Sequence, residues 1–434
     1  MNKIEIGLRA VLLLASMIVA FLGAELAVRA FPGLLPESYR QTFPARGVEF
    51  FNPGLLTATP VEGVPIGQPR PRQRMRTPLV PADLQHQGLV DPDDNPDTGE
   101  YSFVEIEIDE LGFANLEDRP QADIVFVGDS FTFATGTVSP VGLQMQLEQL
   151  SGLSIYNLGV SGIGPHQEDW LLMNLGLQRQ PRLVIWFFFG GNDVHNAEFI
   201  EDKLLSGVTT YADLHPDFAW PRSFLFDLVA WRFRATGPNP ENQLPGFVLN
   251  VRNKPRLLWF APQYLREASR TLEELNESQG WQAIRRILPR VARTLNEHGS
   301  QFLVVYVPSK AQVYLPHVLP NPTLAYQAVA GRTDAPQRAE SFWERMMANR
   351  GNVEQLLREL CEGHEISYLS LTDPLSALAE RQQLGYFSAD THWNEVGQSA
   401  ALPPLMSWLQ EAGLVSTTDA QSLTRPMQVV RPRR

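Results

Sequence analysis

The pattern of apolar and polar residues predicts alternating strands and helices from about residue 122 onward. Between the predicted strands, apolar residues recur at helical spacing, for example in residues 281–297, where Pro289 predicts a kink. The predicted strands are short runs that are apolar almost throughout, as expected in a parallel sheet covered on both faces. They are residues 124–127, 154–158, 183–189, 301–307 and 366–371. We therefore predict an α/β domain with a mostly parallel sheet of about five strands.

The amino terminus carries a different pattern. Residues 10–24 are continuously apolar or small, and their flanks extend the predicted helix. A helix needs about 20 apolar residues to span a bilayer, so this one suffices only if Glu25 lies at the interface. Lys3 and Arg9 precede the run, and charge occupies the places where a cleavage site is expected. We predict an uncleaved signal anchor over residues 1–30, with the remainder outside the cytoplasm, at the inner membrane facing the periplasm; a cleaved signal is the alternative.

Residues 31–118 are rich in proline and glycine and predict a stalk that does not fold independently. Their clearest pattern lies at residues 103–108, where Val104, Ile106 and Ile108 alternate with polar residues. This alternation predicts an edge strand that leans on the main domain.

The main domain is predicted at residues 119–415, and two segments depart from its alternating pattern. Residues 197–266 form a predicted insert, and residues 416–434 form a polar tail that we expect to be disordered. Three tryptophans of the insert either stack on sugar rings in a cap over a site or only pack a small core. They are Trp220, Trp231 and Trp259.

Composition narrows the classes of function. The 434 residues include 36 Lys and Arg against 48 Asp and Glu, and the formal net charge of −12 argues against nucleic acid as a partner. The one cysteine, Cys361, permits no internal disulfide. No residues have metal-ligand spacing and no phosphate-binding loop is present, so we predict neither a metal nor a cofactor. One basic stretch is interpreted as a solvated loop of mixed charge, with a polyanion site as the alternative: Arg70, Arg72, Arg74 and Arg76.

The most informative motif is Gly128-Asp129-Ser130, which directly follows the first apolar run. If a helix begins at Phe131, Ser130 lies at a strand-to-helix turn with its hydroxyl exposed and its own N–H unpaired. Positive partial charge at a helix start stabilises a developing oxyanion. A serine at this place therefore suits nucleophilic chemistry, although serine is also favoured there as a helix cap alone.

Three later motifs supply partners for such a serine. Glycines within residues 159–164 follow the second run and allow backbone N–H groups to approach a ligand closely. Asn192 follows the third run, where its side chain can donate to an oxyanion. His392 is preceded by Asp390, a carboxylate that can fix the tautomer of the imidazole. His195, two residues after Asp193, is the alternative candidate for the histidine of the site.

These four motifs, in this order, resemble those of the SGNH (GDSL-type) hydrolase superfamily. The resemblance implies a three-layer α/β/α fold with the site at the carboxyl ends of the strands. It implies Ser130 as the nucleophile, His392 as the base and Asp390 as the group that orients the base. It also implies an oxyanion hole made by the backbone N–H of Ser130, the backbone N–H of Gly162 and the side chain of Asn192.

The last motif departs from the spacing of many superfamily members. The chain has Asp-x-His followed by Trp393, where many members have Asp-x-x-His. This spacing and residues 305–314 resemble the branch linked to O-acetylation of alginate and other exopolysaccharides. Some alginate-acetylation proteins, however, carry their Asp-x-His before the serine, whereas here it comes after.

The function that the resemblance implies is acyl transfer through an acyl-serine, by an esterase or an O-acetyltransferase. The expected substrate is an acetyl ester of an extracytoplasmic polysaccharide, and the expected partners are that polysaccharide, the membrane and exopolysaccharide-modification machinery. Two alternatives remain open. One is a lipid esterase, which the anchor alone favours. The other is a catalytically idle component that binds glycan or supports assembly.

Overall fold

The computed structural model describes only part of the chain. The predictions for Trp220, Trp231, Arg70, Arg72 and the tail beyond residue 416 lie outside the described residues. Those described are residues 3–31, 64–66, 74–78, 103–133, 142–209, 225, 246–251, 254–330, 336–388 and 390–416.

Strands and helices are numbered in chain order. The described strands are β1 (Arg74–Pro78), β2 (Phe103–Glu107), β3 (Ile124–Gly128), β4 (Ile155–Asn157), β5 (Leu183–Phe189), β6 (Gly246–Val251), β7 (Lys254–Trp259), β8 (Gln301–Val307) and β9 (Ser367–Ser370). The described α-helices are α1 (Lys3–Ala30), α2 (Leu143–Ser151), α3 (Pro165–Leu171), α4 (Asp193–Leu205), α5 (Pro262–Ala268), α6 (Leu272–Glu277), α7 (Gln279–Glu297), α8 (Lys310–Tyr314), α9 (Pro322–Ala330), α10 (Pro336–Asn349), α11 (Asn352–Gly363), α12 (Thr372–Glu380) and α13 (Glu395–Glu411).

The main sheet has five parallel strands in the order β4-β3-β5-β8-β9. Each of them corresponds to one of the five predicted runs, which confirms the predicted sheet. Every residue of the central strand β5 is buried. Its side chains alternate between two apolar clusters, with Trp186 on one face and Phe187 on the other. A sheet covered on both faces explains why its strands lack the polar alternation of an exposed sheet.

Helices form the other two layers. Residues of α3, α4, α6, α7 and α11 pack in the cluster that contains Trp186, and residues of α2, α5, α10, α12 and α13 pack in the cluster that contains Phe187. In α7, Ile284, Leu288 and Leu295 are fully buried, and each such side chain stabilises the fold by about 1.5–3 kcal/mol. The helix continues through Pro289. The fold is the predicted three-layer α/β/α arrangement.

The predicted edge strand at residues 103–108 forms as β2, but it pairs with β1 and does not extend the main sheet. The two strands are antiparallel, with Arg74 opposite Glu107 and Arg76 opposite Glu105. The prediction of a loop at these two arginines is therefore wrong, because both lie on a strand. Local sequence does not show this pairing, because the partner strand lies in a distant segment.

The described part of the predicted insert contains an antiparallel hairpin, β6–β7, followed by α5. Trp259, at the end of β7, is only 4% exposed. For this tryptophan the structure supports the packing interpretation over stacking on a sugar ring.

Helix α1 contains the one segment of the described residues that is long and apolar enough to cross a membrane. That segment is Val11–Val28, with a mean hydropathy of 2.4 and most of its residues exposed. Glu25, near the end of the segment, is buried, and one of its carboxylate oxygens accepts a hydrogen bond from the Leu225 N–H at 3.2 Å.

Candidate active site

Ser130 follows β3 in a turn whose backbone requires glycine at its start. Gly128 has φ +155°, and a Cβ there would lie 2.1 Å from Thr132 Oγ1 and 2.9 Å from the Phe187 carbonyl oxygen. One oxygen of the Asp129 carboxylate then accepts the Phe131 N–H at 2.9 Å. Glycine and aspartate of the motif thus shape the turn that presents the serine.

The structure brings Ser130, His392 and Asp390 into one hydrogen-bonded chain. The Ser130 Oγ lies 2.7 Å from His392 Nε2, and His392 Nδ1 lies 2.6 Å from an Asp390 carboxylate oxygen. The same oxygen accepts the backbone N–H of His392 at 2.8 Å. If Nδ1 carries the proton toward the carboxylate, the lone pair of Nε2 faces the serine hydroxyl, as a general base requires.

The serine is less accessible than its sequence position predicts. Ser130 is 9% exposed, whereas we expected an exposed hydroxyl. The reason is that the ring of His392 stands against it and the ring of Phe131 lies 5.0 Å from that imidazole between centroids.

Trp393 explains the aromatic residue of the Asp-x-His-Trp motif. Its side chain is 1% exposed, and its indole N–H donates to the Phe131 carbonyl at 3.2 Å. The rings of Phe131 and Trp393 lie 5.7 Å apart. The tryptophan therefore connects the histidine loop to the serine turn.

The charges around the imidazole favour its protonated form. Burial alone lowers the pKa of His392, but the Asp390 carboxylate, and to a smaller degree Asp129, outweigh burial and raise it above the ordinary value. For Asp390, burial raises the pKa, but the charge and hydrogen bonds of His392 outweigh this and hold it below the ordinary carboxyl value. The two groups form an ion pair when the histidine is protonated.

The predicted oxyanion donors lie at the same edge of the sheet as Ser130. Gly162 follows β4 and Asn192 follows β5, and these two strands flank β3. Because the carboxyl ends of parallel strands meet at one edge, one donor lies on each side of the serine turn. Gly162 is exposed with φ +79°. Asn192 occupies the N-cap position of α4 without a capping hydrogen bond from its side chain, and its side-chain carbonyl oxygen is unpartnered among the described residues.

Asn157 is a structural residue of this site that sequence reasoning missed. Its side-chain NH₂ donates to the Thr132 carbonyl at 2.6 Å, and its side-chain oxygen accepts the Gly159 N–H at 2.7 Å. A Cβ at Gly159 would lie 2.5 Å from the Phe133 nitrogen, so the glycine permits the close approach. The asparagine connects the glycine loop to the serine turn. Its position two residues before Gly159 was the available signal.

Three buried carboxyl groups cluster at the serine turn, and their positions in the sequence do not predict this cluster. Asp129, Glu168 and Asp193 are 0–1% exposed; besides burial, the charge of Asp129 raises the pKa of Glu168, and the charges of Glu168 and Asp129 raise that of Asp193. Burial raises the pKa of Asp129 to about 6, and burial with mutual repulsion raises the pKa values of the other two well above the ordinary range. Within the part of the chain that the structure describes, no group of side chains could hold a metal ion.

The competing histidine is not placed at the serine. His195 is exposed on α4, and the imidazole in contact with Ser130 belongs to His392. His166, after the glycine loop, pairs instead with Glu201, with 2.7 Å between His166 Nε2 and a carboxylate oxygen.

Comparisons with known proteins bear on the family. Residues 261–433 match the family described as the SGNH hydrolase-like domain of the acetyltransferase AlgX. No curated protein matches the chain. An α/β hydrolase from the metagenome of Lake Arreo, Spain, is 12% identical, with 69% of this chain and 99% of that chain covered and a TM-score of 0.34. An acetylxylan esterase of Geobacillus stearothermophilus is 9% identical, with 68% and 96% covered and a TM-score of 0.33.

The family match includes Asp390 and His392, whereas Ser130 lies before it, in the turn that follows β3 of the main sheet. The match covers less than half of the chain, and this similarity of residues 261–433 to the AlgX family confirms the resemblance drawn from the motifs.

Proposed function

We propose that the protein transfers acyl groups through a covalent acyl-Ser130 intermediate, as an esterase or an O-acetyltransferase. The observation that carries the proposal is the hydrogen-bonded chain from the Ser130 hydroxyl through His392 to the Asp390 carboxylate. A hydroxyl 2.7 Å from the free nitrogen of an imidazole held in one tautomer is the arrangement of an activated serine.

The first half of the reaction acylates the serine. His392 Nε2 takes the proton of Ser130 as Oγ attacks the ester carbonyl carbon, and the carbonyl oxygen becomes an oxyanion. Its proposed donors are the N–H groups of Ser130 and Gly162 and the side chain of Asn192. When the intermediate collapses, the bond to the leaving alkoxide breaks and His392 returns the proton to that oxygen.

The second half releases the acyl group to a hydroxyl. His392 takes a proton from water or from a sugar hydroxyl while the oxygen attacks the acyl carbon. The bond to Ser130 Oγ then breaks, and the proton returns to the serine. Water as acceptor gives an esterase, and a sugar hydroxyl gives a transferase, by the same groups.

The proposed acyl group is acetyl and the proposed substrate or acceptor is a polysaccharide. The similarity to the AlgX acetyltransferase family and the Asp-x-His-Trp motif support both. We further propose that α1 anchors the protein in the membrane with the catalytic domain outside the cytoplasm, next to exopolysaccharide-modification machinery. The apolar segment Val11–Val28 supports the anchor.

The test is acetyl-ester turnover by the full chain in detergent, with and without candidate polysaccharides. The comparison is with Ser130→Ala, and with Ser407→Ala as a control on the exposed face of α13. We expect turnover by the wild type and the control and none by Ser130→Ala. Acetyl groups appearing on the polysaccharide would establish transfer.

Other outcomes would favour other functions. Turnover confined to long acyl chains would favour a lipid esterase. Polysaccharide binding that Ser130→Ala leaves unchanged, without turnover of any ester by the wild type, would refute the enzymatic proposal in favour of a glycan-binding component.

A further inference from the structure

Lys310 is a buried lysine outside the serine–histidine–aspartate chain. It is the first residue of α8, directly after β8 and Pro308-Ser309. Its side chain is 1% exposed, although lysine is almost never fully buried without partners. Taking an ammonium group out of water costs several kcal/mol, so packing alone does not account for its presence.

The partners of the ammonium group lie in the loop that carries the histidine. Nζ lies 2.7 Å from the Phe387 carbonyl oxygen, 3.0 Å from that of Ser388 and 2.7 Å from that of Asp390. An ammonium group has three N–H donors and no acceptor, so its donors match three carbonyl oxygens. The ring of Phe260 lies on another side of Nζ, at 5.7 Å to the centroid.

Two main-chain hydrogen bonds also hold this loop. The Phe387 N–H donates to the His392 carbonyl at 3.0 Å, which closes the loop, and the Trp259 N–H donates to the Ser388 carbonyl at 2.9 Å. Lys310 adds bonds to main-chain atoms on both sides of the bend, up to Asp390 itself. Its position therefore fixes where the carboxylate that binds the imidazole stands.

We propose that Lys310 is the positioning residue of the acid–base loop, and that its ammonium group holds His392 at hydrogen-bonding distance from Ser130. Lys310 lies at the start of α8, just after strand β8, and β8 belongs to the same sheet as β3, the strand that leads to Ser130. The hydrogen bonds of Lys310 therefore connect the histidine loop to the sheet that positions the serine. The role in catalysis rests on the proposed function, whereas the role in holding the imidazole does not.

The test compares Lys310→Met, which keeps the chain length and removes the charge and all three donors, with Lys203→Met. Lys203 lies on α4 ten residues beyond its start, about 15 Å along the helix from the site edge. The full chain is labelled with ¹⁵N-histidine, and the His392 signals are assigned from a His392→Gln variant. The measurements are the hydrogen-bonded Nδ1 proton, the pH titration of the imidazole, and kcat and KM on an acetyl ester.

The direction of the titration separates a positional role from a purely electrostatic one. The charged groups that act on His392 are Asp390 and Asp129, which raise its pKa, and Lys310, which lowers it. If Lys310 supplied charge alone, its loss would raise the pKa of His392 further. If it positions the loop, its loss loosens the pair with Asp390, and the pKa falls toward the ordinary value of about 6.5.

We expect Lys310→Met to lose the hydrogen-bonded Nδ1 proton signal and to lower the pKa of His392. We also expect kcat to fall about 100-fold with KM within about threefold, as misplacement of a catalytic group by about 1 Å produces. Lys203→Met should match the wild type. Lys310→Arg, which keeps the charge and donors, should retain the Nδ1 signal and recover part of kcat.

An unchanged Nδ1 signal with an unchanged or raised pKa in Lys310→Met would overturn the proposal. If that variant does not fold, Lys310→Gln, which keeps two donors without charge, is judged by the same criteria. The spectra do not depend on turnover. If the wild type is inactive but the His392 signals respond to Lys310→Met as expected, the proposed function is refuted and the positioning role stands. If the wild type is active but the His392 signals do not respond, the positioning role is refuted and the proposed function stands.

Discussion

Replacing Asp390 by asparagine isolates the effect of one charge on the site. The two side chains have the same shape, and in the wild type one carboxylate oxygen accepts both the Nδ1–H and the backbone N–H of His392, at 2.6 Å and 2.8 Å. With an amide, the NH₂ group can face Nδ1. The imidazole must then carry its proton on Nε2, where it cannot accept the Ser130 proton.

The expected loss in kcat is large because an imidazole in the wrong tautomer cannot act as the base. An imidazole in the wrong tautomer lowers kcat by about 10⁴ in a serine–histidine–aspartate site, which is about 5.4 kcal/mol at 1.36 kcal/mol per tenfold. The pH profile should change as well. The base must be neutral, so activity rises with pH through the pKa of His392. Burial lowers that pKa and Asp390 raises it, so the rising limb of the residual activity should lie at lower pH without the carboxylate.

The assay is hydrolysis of an aryl acetate by the full chain in detergent, from about pH 5 to about pH 9. Asp373→Asn, an exposed position in the first turn of α12, is the matched control and should behave as the wild type. A kcat of Asp390→Asn within about tenfold of the wild type, or a rising limb that does not move, would refute the reasoning.

Three further substitutions test other parts of the site. Asn192→Ala should lower kcat by about 10²–10³ with little change in KM, since one oxyanion donor is lost; a decrease of less than about threefold would contradict its role. Gly128→Ala should lower the free energy of unfolding in urea by about 3 kcal/mol or more, because the new Cβ would meet Thr132 Oγ1 at 2.1 Å; a loss below about 1 kcal/mol would contradict this. Glu168→Gln should raise the free energy of unfolding, and more at about pH 8 than at about pH 5. Burial raises the pKa of Glu168 well above its ordinary value, so the folded wild type loses stability as pH rises, and an equal gain at both pH values would count against this account.

The sheet could be predicted from sequence because it is covered on both faces. The run at residues 183–189 has no polar residue, and it forms the central strand with the same bounds. The shorter runs at the sheet edges were predicted less closely: β4 has three residues where five were predicted, since pairing on one side alone fixes its ends. The pairing of β2 with β1 depends on a contact between distant segments, which a local alternation does not reveal.

Within the site, the motifs predicted which residues meet, but not what holds them. Ser130 and His392 are 262 residues apart, and only the parallel sheet brings them together. The position of Lys310 just after a strand was visible in the sequence, yet its three carbonyl partners lie about 80 residues further on. Those partners are main-chain atoms, which no residue type identifies. Chemical motifs therefore predict the reacting groups, while the groups that position them become visible only with the backbone.

The pKa of His392 is set by opposing effects that the sequence motifs do not show. Asp390 and Asp129 stabilise the imidazolium, whereas burial and Lys310 oppose it. Asp129 acts only to the extent that it is ionised, and its own pKa of about 6 is raised by burial. As the pH rises through that value, Asp129 gains charge and favours the proton on His392 just where the base must lose it. The two titrations are therefore coupled, and the rising limb of activity should be broader than that of a single group. Asp129→Asn should sharpen the limb and move it to lower pH, and a pH profile of that variant identical to the wild type would show that the two groups titrate independently.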